Sequence, residues 1–266
     1  MRIFVAVLLA TLLAACETVQ TTQPGAVGVD RTQRFMVSSE EVDKAAAQEY
    51  QKVLADARAK GVLDRDARSV QRVRNVASRL IPHTGSFRAD APRWAWETHV
   101  ITDPQLNAWA MPGGKMVVYT GLIEKLQLTD DEIAAIMGHE ISHSLREHAR
   151  ERISQEQASG LLVGIGSALL GLGEVGQGLA SAVAQVTFTL PHSREHETEA
   201  DRLGVELAAR AGYNPHAAVS VWQKMLQAGG SGGPQFLSTH PSPATRLQDL
   251  KVYADRVMPL YQQARR

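Results

Sequence analysis

Hydrophobic and polar positions change their period several times along the chain, and each change marks an element. The first fifteen residues, "MRIFVAVLLATLLAA", are one apolar run behind an early arginine and end in small residues. Such a run is too short to span a bilayer comfortably and has the shape of an export signal, so residues 1–15 are expected to be removed. Residues 16–37, rich in Thr, Gln, Gly and Val around Pro24, read as lacking a sustained period and predict a flexible tether. Helical spacing begins at Ser38, which stands three before Glu41 in a capping box, and good helix formers continue to Gly61. A second helix is predicted over Asp64–Leu80, before Pro82 breaks it. From Trp94 the pattern shortens: "WAWETHVI", "LNAWAM" and "KMVVYT" are β-branched or aromatic runs separated by "TDPQ" and "PGG", which predicts one small antiparallel sheet. Helix returns at Thr129, with Glu132 completing another capping box, and is predicted to run through "MGHEISHSLREHAR" to about Ser154.

The glycine-rich apolar stretch 160–186 has no uninterrupted piece long enough to cross a membrane. It predicts a buried helical hairpin, with a lid or membrane-facing element near the site as the other reading. Further helices are predicted over about 194–211, 215–228 and 243–257, the first two parted by Gly212 and Pro215 of "AGYNP". The pattern as a whole is α+β, mainly α, with a single folded domain over residues 38–266.

Charge narrows the field by what it excludes. Acidic and basic residues number 28 each, so the overall electrostatics offer no argument for a nucleic-acid partner. The single cysteine, Cys16, follows the apolar run, and "LAAC" resembles the bacterial lipoprotein signal, which implies a lipidated first residue of the mature chain. Two acyl signals anchor stably where one does not, and a chain with one cysteine has no internal disulfide. Glu17 stands where an aspartate would signal inner-membrane retention, so the expected address is the periplasmic face of the outer membrane, with the inner membrane as the other possibility.

Within "MGHEISHSLREHAR", His139 and His143 are four apart on a helix and can present imidazole nitrogens to one metal. Glu140 then lies beside the metal, where a general base takes a proton from water. A zinc site needs a third protein ligand, and "SREHETEADRLG" with the histidine just before it offers several candidates: His192, Glu195, His196, Glu197, Glu199 and Asp201. Spacing favours Glu197 as ligand with Asp201 one turn on, able to accept the outer N–H of a ligating histidine. Glu195 and Glu199 are also four apart but lie about half a turn away and supply no aspartate. His148, five beyond His143 on a continuous helix, points away from the pair, and "REHARER" reads as a solvated face.

Four motifs together, "NAWAMPGG" (107–114), "GHEISH" (138–143), "SREHETEAD" (193–201) and "STHPSPATRL" (238–247), resemble the gluzincin metallopeptidases of the family containing HtpX and the CAAX prenyl endopeptidases. The resemblance spans roughly residues 40–255 and points to soluble periplasmic members, because the spanning helices of the membrane-embedded relatives are missing. It implies a single zincin-like domain holding one zinc ion per chain, with His139, His143 and Glu197 as ligands, Glu140 as catalytic base and acid, and Asp201 behind the metal. His240 and Arg246 match a late element that steadies substrate or oxyanion. Asn107, Ala108, Trp109, Ala110 and Met111 match an edge strand that an extended substrate joins, although Trp109 also suits ordinary core packing. The expected activity is zinc-dependent hydrolysis of misfolded or damaged envelope proteins. A non-proteolytic assembly or chaperone scaffold, and a hydrolase of cell-wall crosslinks, are the alternatives.

Overall fold

The computed structural model describes residues 17–159, 175–228, 235–241 and 245–266. The signal segment, Cys16 and residues 160–174 of the glycine-rich stretch lie outside the described residues. Five short strands and ten helices follow along the described chain, joined by 3₁₀ turns at Ile81–Ser86 and Ala91–Arg93. The strands are β1 (Glu17–Val19), β2 (Gln33–Phe35), β3 (Glu97–Ile101), β4 (Ala108–Met111) and β5 (Lys115–Tyr119). The helices are α1 (Ser39–Ala59), α2 (Ala67–Leu80), α3 (Thr120–Lys125), α4 (Asp130–Leu145), α5 (His148–Ala158), α6 (Val175–Phe188), α7 (Arg194–Arg210), α8 (Ala217–Ala228), α9 (Gln235–Thr239) and α10 (Arg246–Ala264).

The α+β class with helix predominant is what the pattern predicts, but the sheet is mixed, not antiparallel throughout. Its order is β3-β5-β4, with β3 parallel to β5 and β4 antiparallel to it, so β4 is an edge. Both faces are covered. Met116 and Val118 of β5 and Ala108 of β4 pack into the core shared with α2, α4 and α7, while Val117, Trp109 and Met111 pack with α1 and α6. That alternation is the period of a strand buried on two sides. Small alanines on the α4 side of β4 let that helix come close.

Both predicted capping boxes form, at Ser38–Glu41 and Thr129–Glu132. The helix expected from Thr129 to Ser154 breaks after Leu145, because Glu147 adopts a left-handed conformation (φ 51°) and turns the chain into α5. The last helix runs on past Pro259 to Ala264, beyond the expected end. Of the glycine-rich stretch, the described part is α6, which lies against α1. No helix among the described residues is long and apolar enough to cross a membrane.

The largest departure is at the amino terminus. Residues 17–37, expected as a flexible tether, form the β1–β2 hairpin and a strap along α5 and α7. Val27, Val29, Gln33, Phe35 and Val37 are all buried. Val27 N–H donates to buried Glu206, and Arg150 stacks on the Phe35 ring at 4.0 Å. The alternation Val27, Val29, Arg31, Gln33, Phe35, Val37 is the two-residue period of an extended segment with one face inward, interrupted in its hydrophobic reading by two polar residues that find buried partners.

Candidate metal centre

Two helices build the site. α4 carries His139, Glu140 and His143, α7 carries Glu197 and Asp201, and the two cross where Gly138 meets Gly204 with no room for a side chain on either. The crossing sets the carboxylates of α7 against the imidazoles of α4. His139 Nε2 lies 3.1 Å from His143 Nε2, and Glu197 approaches them at 3.6 and 3.3 Å. All three residues are buried.

These separations suit a metal. Ligands held 2.0–2.1 Å from a tetrahedral zinc are spaced about 3.3–3.4 Å apart, close to what the three side chains show. Tautomers agree with the distances. His139 Nδ1–H donates to Asp201 Oδ1 at 2.9 Å, leaving Nε2 with a bare lone pair. His143 Nδ1 is engaged by His148 at 2.8 Å, and its Nε2 likewise faces the cluster. Lone pairs converging beside a carboxylate repel one another unless a cation sits among them. His240 adds a further ligand atom: its Nδ1 is 2.9 Å from Glu197 Oε1 and 3.2 Å from His139 Nε2. His139, His143, Glu197 and His240 form one group whose ligand atoms all lie within 4.8 Å.

Burial pushes the Glu140 carboxyl up, against the lowering effect of His240 and His139. Its Oε2 accepts from Ala110 N–H at 3.0 Å, while buried Oε1 has no hydrogen-bond partner and His240 Nε2 stands 3.4 Å away. Burial alone would raise Glu197 too, but the neighbouring imidazoles, His240 and His139 foremost, hold it well below the usual range. His240 is held up in turn, because Glu197 and Glu140 outweigh its burial. Burial keeps His143 and His148 well below the ordinary histidine value.

Arg246 lies over the Trp222 ring at 3.4 Å, which aims one amino group at Asp201 (2.7 Å) and the other at Glu197 (2.9 Å). His240 stacks on Phe236 at 4.3 Å. The late motif is therefore brought to the centre by aromatic platforms on α8 and α9. On β4, Ala110 N–H donates to Glu140; Asn107, just before the strand, accepts from Ala108 N–H through its side chain. Trp109 is buried, edge-on to Tyr50 and Phe188, as core packing requires.

Several residues near the centre are not where helical counting puts them. "REHARER" is no solvated face: His148, Arg150 and Glu151 are buried, because the break at Glu147 folds α5 back against the site. Glu199 is buried as well, and does not approach the metal group; its partners are His148 (3.0 Å), Arg146 (2.9 Å) and Arg31 (2.7 Å). His196 stacks on His148 at 4.2 Å and contacts Glu151, and His192 packs 4.1 Å from the His143 ring. The alternation of residues 27–37 was the available signal for Arg31 and Gln33; none marked the fold-back at Glu147.

Comparison with known proteins agrees with this geometry. The profile of peptidase family M48 matches residues 67–254. The mitochondrial metalloendopeptidase OMA1 of Schizosaccharomyces pombe is 37% identical over 160 residues, covering 59% of this chain and 46% of that protein. OMA1 of Bos taurus is 30% identical over 247 residues, covering 86% of this chain and 45% of its own length. The beta-barrel assembly-enhancing protease of Escherichia coli is 28% identical over 203 residues, covering 73% and 40%. The chain spans about half the length, or less, of these relatives. The likeness is thus to OMA1 and the beta-barrel assembly-enhancing protease, and the narrower tie to HtpX and the prenyl endopeptidases is not what the comparisons bring out.

Proposed function

The chain belongs to peptidase family M48, and from that premise we propose that it is a zinc-dependent endopeptidase working on proteins of the cell envelope. The observation that carries this reading is Glu140, buried beside His139, His143 and Glu197 with one carboxylate oxygen held and the other free. His139, His143 and Glu197 would hold the zinc, which supplies Lewis acidity to polarise a peptide carbonyl and ease deprotonation of water. Glu140 Oε1 takes the proton of the attacking water and returns it to the departing amine nitrogen. Ala110 N–H fixes the other oxygen, so the carboxylate keeps its aim while it cycles. Its raised affinity for protons, from burial, brings it nearer the working pH of a base that must also act as acid. His240, with Nε2 toward Glu140, is placed to donate to negative charge developing on the former carbonyl oxygen. Because β4 is a sheet edge adjoining Glu140, an extended peptide would add there as a further strand.

The envelope address rests on the apolar amino-terminal run with Cys16, read as a lipid anchor, and on the name of the E. coli relative, which speaks of beta-barrel assembly. Misfolded or damaged envelope proteins are the substrates this reading assigns. The test is cleavage of an unfolded protein such as casein by the zinc-loaded chain and by Glu140→Gln. The variant should keep its zinc and lose roughly 100-fold or more of the rate. Equal cleavage by Glu140→Gln would remove Glu140 from the mechanism, and zinc binding by the wild type without cleavage of any unfolded protein would favour a binding scaffold.

A further inference from the structure

His143 differs from His139 in what holds it from behind. His139 Nδ1 meets a carboxylate, Asp201, whereas His143 Nδ1 meets another imidazole nitrogen, His148 Nδ1, at 2.8 Å. Two such nitrogens share one proton, and their neighbours decide where it sits. The far nitrogen, His148 Nε2, is 3.0 Å from Glu199 Oε2. Glu199 also takes the Nε–H groups of Arg146 and Arg31, at 2.9 Å on Oε2 and 2.7 Å on Oε1, so both of its oxygens already act as acceptors. The Oε2 that accepts from Arg146 accepts from His148 as well, so His148 carries its hydrogen on Nε2 and presents a bare Nδ1. His143 must then donate from Nδ1, which leaves its Nε2 free to face His139 and Glu197.

We propose that His148 and Glu199 are positioning residues of the metal centre, a relay that locks His143 in its metal-binding tautomer and is anchored by Arg31 of the amino-terminal strap. The proposal rests on the zinc reading above. It also explains a second buried group, His148, Glu151 and His196, whose ligand atoms lie close enough to hold a cation. Glu151 already accepts two Arg31 amino hydrogens, at 2.6 and 2.9 Å, and is further bonded by Gln33 and His196. The carboxylate a second metal would need is thus already taken by a guanidinium. The cluster buttresses the relay: His196 stacks on His148 with ring planes 11° apart, and Arg31 joins Glu151 to Glu199.

The relay predicts that the chemistry of residue 148 matters more than its shape. Zinc affinity of the full chain is measured by competition with a chromophoric chelator, alongside the visible absorption of the cobalt-substituted protein. His148→Phe fills the space without accepting or donating, and should weaken zinc binding by about 10- to 100-fold and alter the cobalt spectrum. His148→Gln offers an amide oxygen to accept and an amide N–H to donate, and should stay within about threefold of wild type. Zinc binding by His148→Phe as tight as wild type, or by His148→Gln as weak as by Phe, would overturn the proposal. Should His148→Phe lose its cooperative unfolding transition, Glu199→Gln decides. That variant can turn a donor toward His148 and reverse the relay, so it should lose about 10-fold in zinc affinity, and an unchanged value overturns the idea. A wild-type chain that takes up no zinc would overturn the metallopeptidase reading and this one together; tight wild-type binding with indifferent variants would overturn this one alone.

Discussion

Gly204→Ala tests the helix crossing on which the metal centre depends. A methyl group at that position would lie 2.7 Å from His139 N, 2.8 Å from Gly138 C and 2.9 Å from His139 Cα. Ordinary contact starts near 3.4 Å, so α4 and α7 must part by about 0.7 Å at the crossing, and the atoms in the way are backbone that has no rotamer to yield. Overpacking of this kind costs about 1–3 kcal/mol of stability. The same parting acts on the site, because His139 and His143 stand on one helix and Glu197 and Asp201 on the other. It would widen the 3.3 and 3.6 Å separations of Glu197 from the imidazoles and stretch the 2.9 Å bond from His139 to Asp201. A displacement approaching 1 Å at a functional group costs up to about 100-fold; for zinc affinity a loss on the order of 10-fold is expected. Urea unfolding in chelator gives the apo stability, and the gain on adding zinc reads the affinity of the native state independently. Apo stability equal to wild type would show that the close approach is not there. A destabilised variant with wild-type zinc affinity would show that the site adjusts independently of helix separation.

Two further predictions use the network around the site and one remote carboxyl. Asp201 accepts from both His139 and Arg246 through Oδ1, so Asp201→Asn keeps a neutral acceptor and should weaken zinc binding by about 10-fold, whereas Glu197→Gln should weaken it more; a chelator titration giving the reverse order would make Asp201 the ligand. Asp43 is pushed up to about 6, first by burial and then by the charge of Glu147. A carboxyl raised above its unfolded value favours the native state at low pH, and that contribution is lost as pH rises through about 6. Asp43→Asn should therefore raise the unfolding free energy near neutral pH by about 1–2 kcal/mol, allowing for partial exposure, and change it little at about pH 4. Urea midpoints at both pH values check this, and a gain equal at both would refute the assignment.

The parts of the site that the sequence discloses are those built by local spacing. His139, Glu140 and His143 share one helix turn, and Glu197 and Asp201 another, so helical geometry alone puts each set on one face. The outer network was hidden for a different reason. His148 counts as pointing away only while the helix is continuous, and the left-handed residue that breaks it is Glu147, a residue type with no turn preference to announce it. Arg31 and Gln33 sit on the inward face of an alternating segment, where their polarity disguises the period that Val27, Val29, Phe35 and Val37 trace. The parallel pairing of β3 with β5 was equally out of reach, since run length and turn residues mark strands without saying which edge the third one takes.

The strap also sets how far the site can range from anything attached to residue 16. A free segment covering residues 17–37 would be a leash of up to roughly 70 Å, long enough to sweep a wide shell of space. Instead the chain is engaged from Glu17 onward: β1 is paired with β2, and Arg150 donates to Glu17 at 2.7 Å. With the lipid at Cys16 that we propose, the domain would stay close to the headgroups. Its quarry would then be whatever passes along that bilayer surface, and lengthening the link before Glu17 would enlarge the hunting ground without altering the blade.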